Sequence, residues 1–167
     1  MAELFLGVGS NVEPEANLRL AIRELRRYFG DLQMSAVYRN EAVGFDGDDF
    51  LNLVVRAETD KSPIEVCEVL DAIHDVAGRK KGPKKYVARE LDIDLLMYDA
   101  LDMNDPPVRV PREDILKYSF VMVPLAELAP DLRHPQTGRT IAEHLAEFDV
   151  SQHPLTKESL DLDLPAD

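Results

Sequence analysis

The feature that most constrains the fold is a change of hydrophobic period along the chain, from two residues to about 3.6 and back. Residues 3–9 are strongly apolar and run into Gly9-Ser10-Asn11, a turn signal, so they predict a first strand. A helical period follows from Pro14 to Gly30. Alternation at 32–38 and the run from Phe50 to Ala57 predict the next two strands, separated by a polar loop.

The second half of the chain continues the same order of elements. Ser62-Pro63-Ile64-Glu65 is a capping box with proline at the first helical position, and it predicts a helix that ends at Gly78. A basic loop at Arg79–Ala88 then leads to a strand at Leu91–Tyr98. The order strand, helix, strand, strand, helix, strand predicts an α+β fold, a ferredoxin-like sandwich with a mainly antiparallel sheet and helices packed on it.

Weaker patterns complete the chain. Val108 and Val110 predict a further short strand, and an apolar helix is expected at 120–128, where Pro124 marks a kink or an end. Thr140 opens a last helix. Residues 1–149 are therefore predicted to form a single domain, and the Pro-, Ser- and acid-rich segment 150–167 a loose tail.

Composition and charge narrow the classes of function. The 167 residues contain one cysteine, no N-terminal signal and no long apolar run, so we expect a cytoplasmic protein without disulfides or membrane segments. The net charge of −13 disfavours nucleic acid as a partner. The sequence does not decide the oligomeric state, although a monomer is slightly favoured. Six basic residues lie within eleven positions and predict a site for a small anion: Arg79, Lys80, Lys81, Lys84, Lys85 and Arg89.

Asp92 and Asp94 lie two apart in a predicted strand, so their carboxylates project to the same side, roughly 6 to 7 Å from each other. Hard oxygen ligands at this spacing suit one or two Mg²⁺ ions that carry substrate phosphates. A solvated outer face of the strand is the alternative. Arg79 and Arg89 flank the segment and favour the metal interpretation, because phosphoryl transfer uses metal and guanidinium groups together.

Phe50 and Asn52 form a second group, an aromatic ring and an amide on one face of the third predicted strand. A core ring and a locally satisfied amide would explain them, as would contacts to a ligand. The four histidines lack the spacing of metal ligands, which makes zinc an unsuitable cofactor.

From about Leu4 to Phe148 the chain resembles a known family, the 6-hydroxymethyl-7,8-dihydropterin pyrophosphokinases (HPPK) of folate synthesis. The pattern Arg-x-Leu-Asp-x-Asp at 89–94 is the most specific mark, and its spacing to Phe50 and Phe120 fits. The other matching segments are Gly9-Ser10-Asn11, Phe50-Leu51-Asn52, Gly78-Arg79, Val110-Pro111 and the segment from Pro124 to Pro130.

The resemblance implies a ferredoxin-like fold and transfer of pyrophosphate from ATP to the hydroxymethyl group of a dihydropterin, with release of AMP. It implies that Asp92 and Asp94 hold two Mg²⁺ ions with ATP. Phe50 and Phe120 would stack on the two faces of the pterin, and Asn52 would hydrogen-bond its polar edge. The remaining implied positions are the catalytic Arg79 and Arg89, the ATP contacts Lys81, Tyr86, Arg112 and His74, and the pterin contact Val43.

Several positions on the nucleotide side depart from the family's usual pattern. His74 stands where Glu is usual, Arg112-Glu113 where a His-Tyr pair is usual, and Tyr118 where Arg is usual. We therefore predict an active pyrophosphokinase with an altered nucleotide site. One alternative is a divergent HPPK-like protein that binds pterin but has weak or altered nucleotide-dependent activity. A nucleic-acid-binding ferredoxin-like module is disfavoured by the charge and by the lack of interleaved aromatic residues in the basic loop.

Overall fold

The computed structural model describes residues 1–41, 49–78, 91–152 and 154–163. The described strands are β1 (Ala2–Ser10), β2 (Gln33–Met34), β3 (Val37–Asn40), β4 (Phe50–Thr59), β5 (Asp92–Tyr98), β6 (Met103–Asp105), β7 (Val108–Val110) and β8 (Thr156–Glu158). The main sheet has the order β5-β1-β4-β3-β8, with β2 also paired to β4, and every pairing is antiparallel. This arrangement confirms the predicted ferredoxin-like fold. The strands β6 and β7 form a separate two-stranded sheet.

Helices cover both faces of the main sheet. They are α1 (Pro14–Phe29), α2 (Pro63–Val76), α3 (Asp114–Lys117), α4 (Ser119–Leu128) and α5 (Ile141–Glu147), and a short 3₁₀ turn follows at Val150–Gln152. In the part of the chain that the structure describes, no helix is long and apolar enough to cross a membrane. The Ser62–Glu65 capping box that starts α2 is present as predicted.

Alternation along β1 divides the core into two clusters. Leu4, Leu6 and Val8 pack with the buried residues of α1 and α2, whereas Phe5 packs on the opposite face with α4 and α5. Successive residues of a strand point to opposite faces, so the apolar run of β1 supplies both layers at once. The central strand is therefore covered by helices on both sides.

The predicted strand at 32–38 is in fact divided into β2 and β3. At the break, the backbone N–H of Ser35 donates to the carbonyl of Val54 at 2.9 Å, and Ser35 Oγ accepts from the Val54 N–H at 2.9 Å. Because the hydroxyl replaces a backbone carbonyl as acceptor, the regular ladder with β4 is interrupted at this residue.

The apolar helix predicted at 120–128 is present as α4, and it continues through Pro124, so the proline does not end it. The segment after residue 149 differs from the sequence-based prediction. Part of the segment predicted as a loose tail forms β8, which extends the sheet beyond β3, and Leu162 is buried in the core. The physical reason is the exposed edge of β3, whose free backbone groups are satisfied by an added strand.

The carboxylate of Glu127 joins α4 to the sheet. Tyr38 Oη donates to one oxygen of Glu127 at 2.6 Å, and the Ala36 backbone N–H donates to the other at 2.7 Å. Burial, reinforced by Glu127, raises the pKa of Tyr38 to about 12. These bonds fix the position of α4 above the strands β3 and β4.

We predict that Tyr38→Phe lowers the free energy of unfolding at pH 7 by about 2 kcal/mol, since a hydrogen bond to a charged acceptor is lost. Chemical denaturation measures this change. The folded pKa of Tyr38 exceeds its ordinary value of 10.0, so its stabilisation is complete below pH 10 and disappears as the pH rises through 12. The gap in stability between wild type and Tyr38→Phe should close over that range.

Tyr28→Phe is the matched control, because the Tyr28 side chain is exposed. It should leave the unfolding free energy unchanged. Equal stabilities for the Tyr38→Phe and Tyr28→Phe proteins would contradict a structural role for the Tyr38–Glu127 bond.

Candidate active site

Three neighbouring strands bring the predicted acidic and amide groups to one face of the sheet, the face covered by α4. Gly9 in β1 lies opposite Asp92 in β5 on one side and opposite Asn52 in β4 on the other. Gly7 likewise lies opposite Asp94. Residues directly opposite one another in a ladder share a face. A single strand, β1, therefore lies between Asn52 on β4 and the two aspartates on β5.

The glycines of β1 leave room on this face for side chains from the neighbouring strands. A Cβ added to Gly9 would lie 2.5 Å from Oδ1 of Asn52, a distance at which one of the two groups must move. A Cβ on Gly7 would meet Leu96 at 3.4 Å. Glycine inside a strand marks a close approach of another group, and here that group is the Asn52 side chain.

Asp92 and Asp94 are partly exposed, while Ile93 between them is buried on the α2 side. This alternation places both carboxylates on the α4 face, as predicted. The described residues contain no group of three or more His, Cys, Asp or Glu side chains that could hold a metal. Two carboxylates without further protein ligands fit a Mg²⁺ ion that takes its other oxygens from phosphates and water.

Arg112 lies beside the aspartate pair. Its Nη2 is 3.7 Å from Oδ1 of Asp94, and its Nε is 3.7 Å from Oδ1 of Asp114. The Nε atom is buried and has no hydrogen-bond partner within the described residues. The guanidinium of Arg112, a predicted ATP contact, therefore lies next to two carboxylates.

His74 is buried and forms a hydrogen bond within the protein. It is 4% exposed at the end of α2, and its Nε2 accepts a hydrogen bond of 2.9 Å from the backbone N–H of Ile93. Ile93 lies between the two aspartates, so this bond ties α2 to the strand that carries them. The His74 ring, Asp71 and Arg109 also line a pocket of about 180 Å³ next to Asp92 and Asp94.

Asn52 is held by a second amide. Its Nδ2 donates to Oδ1 of Asn40, and Nδ2 of Asn40 donates to the carbonyl of Glu41 at 2.9 Å. Both asparagines are buried, at 9% and 4% exposure. The Asn52 amide therefore has a defined orientation near the start of β4.

Phe50 and Phe120, the two rings predicted to stack on a ligand, come from different elements. Phe50 is partly buried at the start of β4 and shares the Asn52 face, while Phe120 lies in the first turn of α4. The Phe120 ring stacks on Tyr118 with centroids 4.9 Å apart and planes inclined by 18°. Both rings thus belong to the side of the sheet that carries Asn52.

Five of the predicted site residues lie outside the described residues. They are Val43, Arg79, Lys81, Tyr86 and Arg89. The predicted site residues that the structure describes are distributed over β4, α2, β5, α4 and the segment after β7.

Two contributors were missed at the level of sequence. The Gly7 and Gly9 pair, two apart in an apolar strand, was the available signal for a close approach on one face. Asn40 carried no such signal, because an asparagine before a polar loop is an ordinary turn residue.

Comparisons with known proteins identify a family and related folds. The model of the family described as 7,8-dihydro-6-hydroxymethylpterin-pyrophosphokinase (HPPK) matches residues 5–130. A 2-amino-4-hydroxy-6-hydroxymethyldihydropteridine pyrophosphokinase of Aquifex aeolicus is 33% identical over 145 residues, which cover 86% of this chain and 90% of the relative. The protein of the same name from Methylorubrum extorquens is 36% identical over 155 residues, covering 90% and 96%.

Solved structures give the same fold at low identity. An HPPK-DHPS in complex with substrates superposes with a TM-score of 0.70 at 11% identity, covering 87% of this chain and 43% of that one. The wild-type HPPK-DHPS of Plasmodium falciparum gives 0.67 at 13%, covering 87% and 44%. This chain therefore spans less than half the length of those two proteins. The family match over residues 5–130 and the two pyrophosphokinase relatives place the chain in the 7,8-dihydro-6-hydroxymethylpterin-pyrophosphokinase (HPPK) family.

Proposed function

We propose that this protein transfers diphosphate from ATP to the hydroxymethyl group of 6-hydroxymethyl-7,8-dihydropterin and releases AMP, a step of folate biosynthesis. The observation that carries the proposal is the placement of the aspartate pair and Asn52 on one sheet face, on either side of Gly9. Two substrates held there would meet above β1. Holding both reactants in one site removes much of the entropic barrier to their reaction.

The pterin side of the site comprises Asn52, Phe50 and Phe120. Aromatic rings supply stacking area for a flat heterocycle, and the buried amide of Asn52 supplies hydrogen bonds that select its polar edge. Val43 is a further proposed pterin contact. This division of roles explains why Asn52 is buried and oriented while the two rings remain partly exposed.

The nucleotide side comprises Asp92, Asp94, Arg112 and the pocket beside α2. Asp92 and Asp94 would hold Mg²⁺, which arrives with ATP and offsets the charge of the phosphate oxygens. We propose two ions, the number that the family resemblance implies, with the carboxylates and the phosphate oxygens as their ligands. We propose that Arg112, whose Nη2 lies 3.7 Å from Oδ1 of Asp94, donates hydrogen bonds to phosphate oxygens.

The chemistry is one displacement at phosphorus. The pterin hydroxyl oxygen forms a bond to the β-phosphorus of ATP, the bond from that phosphorus to the α,β-bridging oxygen breaks, and the hydroxyl proton is released. AMP leaves with the bridging oxygen. The residues of this chain position the hydroxyl in line and bind the charge that spreads over the transferred group.

The last part of the proposal concerns the basic residues between Arg79 and Arg89. Arg79 and Arg89 are proposed to bind the phosphoryl oxygens in the transition state, and Lys81 and Tyr86 to contact ATP. A bidentate guanidinium matches the geometry of phosphate oxygens better than a lysine ammonium does.

One observation favours a second candidate function, a pterin-binding protein with weak or altered nucleotide-dependent activity. Nε2 of His74 accepts the Ile93 N–H, so this ring atom supports the strand and is occupied before a nucleotide arrives. An ATP contact of His74 would therefore involve ring atoms other than Nε2. The assay below separates the two functions.

The first test is the reaction itself. We expect the protein, supplied with 6-hydroxymethyl-7,8-dihydropterin, ATP and Mg²⁺, to form one AMP for each diphosphorylated pterin, measured by chromatography with phosphorus NMR. Omission of the pterin is the control and should give no AMP. Binding of the pterin with no AMP would select the second candidate, and formation of ADP would contradict diphosphate transfer.

The second test concerns the metal. Asp92→Asn and Asp94→Asn should each lower turnover by two or more orders of magnitude, since each removes a ligand and a charge without changing shape. Binding of Mn²⁺ in the presence of ATP, followed by electron paramagnetic resonance, should weaken in parallel. Stability should hold or rise, because like charges on one sheet face repel.

Asp105→Asn is the matched control for this pair. Asp105 is exposed in β6, a strand outside the sheet that carries the aspartate pair. Its turnover and Mn²⁺ binding should equal those of the wild type. Full activity in either Asp92→Asn or Asp94→Asn would contradict the metal assignment.

The third test concerns stacking. Phe120→Ala should weaken binding of the pterin about 10- to 100-fold, by analogy with base stacking on aromatic side chains, and leave binding of an ATP analogue unchanged. Calorimetry measures both. Phe148→Ala is the control, because Phe148 packs against the same core cluster from beyond α5. Equal losses for both ligands in Phe120→Ala would mean that Phe120 serves the core alone.

A further inference from the structure

Asn40 controls which way the Asn52 amide faces. The two residues lie on the same face of neighbouring strands, since Tyr38 pairs with Asn52 and Asn40 pairs with Phe50. Asn40 is 4% exposed, and its Oδ1 accepts from Nδ2 of Asn52. A carboxamide has two orientations related by a half-turn, which exchange its donor and its acceptor. The Asn40 bond favours one of them.

The Asn40 carboxamide cannot make a half-turn without losing hydrogen bonds. Its Nδ2 donates to the Glu41 carbonyl at 2.9 Å. A half-turn would place that donor against the Nδ2 donor of Asn52 and leave the Glu41 carbonyl facing an oxygen. The backbone therefore sets Asn40, and Asn40 in turn sets Asn52.

The other end of the Asn52 amide lies over β1. Its Oδ1 occupies the space where a Cβ of residue 9 would be, as the 2.5 Å separation from an added Cβ at Gly9 shows. The amide is thus held at Nδ2 by Asn40 and seated at Oδ1 above a glycine. The second N–H of the Asn52 amide and its carbonyl oxygen are the groups that a ligand would contact.

We propose that Asn40 is a positioning residue that sets substrate specificity, by presenting the Asn52 amide to the ligand in one fixed donor and acceptor order. The inference rests on the proposed function. A 2-amino-4-oxo pteridine carries an N3–H donor beside an O4 acceptor. A 2,4-diaminopteridine carries the reverse, an N3 acceptor beside a 4-amino donor. A fixed Asn52 amide accepts the first pair and meets the second with donor against donor.

Discrimination of this kind is large when the protein amide cannot turn. A site built to hydrogen-bond a ligand rejects an analogue that leaves its buried groups unpaired, because those groups have lost their water. An amide that is free to turn accommodates both analogues and loses the discrimination. Asn40 therefore affects selectivity more than affinity for either compound.

The experiment compares 6-hydroxymethylpterin with 6-hydroxymethyl-2,4-diaminopteridine. Dissociation constants are measured by pteridine fluorescence in the presence of Mg²⁺ and α,β-methylene-ATP, which cannot transfer its diphosphate. The wild type should favour the pterin by tenfold or more. Asn40→Leu, which keeps the approximate shape but removes the acceptor, should reduce that ratio about tenfold.

Asn40→Asp separates specificity from stability. Its carboxylate still accepts from Nδ2 of Asn52 but repels the Glu41 carbonyl, so this variant should be less stable than the wild type and keep the wild-type ratio. Asn40→Ala carries the same prediction as Asn40→Leu and replaces it if that variant does not fold. Thermal unfolding of each variant is measured alongside binding.

The outcomes distinguish the two levels of the proposal. A wild-type ratio in Asn40→Leu or Asn40→Ala, or a ratio that falls with stability across all variants, overturns the role of Asn40 and leaves the proposed function standing. A wild-type protein that binds neither pteridine overturns both. A reduced ratio in Asn40→Leu with the wild-type ratio in Asn40→Asp supports the inference.

Discussion

The site depends on the close approach of a side chain to the backbone of β1 at Gly9. The Asn52 carboxamide occupies the volume that a side chain at this position would need. The antiparallel register then places Asp92 on the other side of the same residue. Neighbouring strands are about 4.8 Å apart, so groups on β4 and β5 face a common space across β1. A larger residue at position 9 would displace the amide and fill part of that space.

Two further sets of hydrogen bonds hold the surrounding elements in place around Gly9 and Asn52. The His74 bond to Ile93 holds the acidic strand against α2, and the Glu127 bonds to Tyr38 and Ala36 hold α4 above β3. Each contact joins a helix on a different face to a strand next to the site. Groups on β5 and α4 consequently keep their positions relative to β1. Such preorganisation is what makes bound reactants meet at the required distance.

Local patterns predicted much of the fold. The apolar run of β1, the capping box of α2 and the Asp-x-Asp of β5 each encode their structure within a few residues, and all three appear as expected. The Asp92 and Asp94 pair could be placed on one face because a strand has a fixed period.

The features that sequence did not predict depend on partners distant in the chain. Ser35 interrupts a strand because its hydroxyl meets Val54, and β8 forms because β3 offers an open edge. The Asn40 and Asn52 bond joins residues twelve apart in the chain. Local propensity is overridden in such places by pairings that only the folded sheet creates.

The most direct test of the common site is the distance between bound metal and Asn52. Mn²⁺ with α,β-methylene-ATP should bind at Asp92 and Asp94 and broaden the NMR signals of the Asn52 side-chain amide, consistent with a separation on the order of 10 Å, two strand spacings. The signals of the exposed Tyr28 ring serve as the reference. We expect strong broadening at Asn52 that is lost in Asp92→Asn. Broadening of the Asn52 amide no greater than that of Tyr28, with Mn²⁺ bound, would contradict a single site built across Gly9.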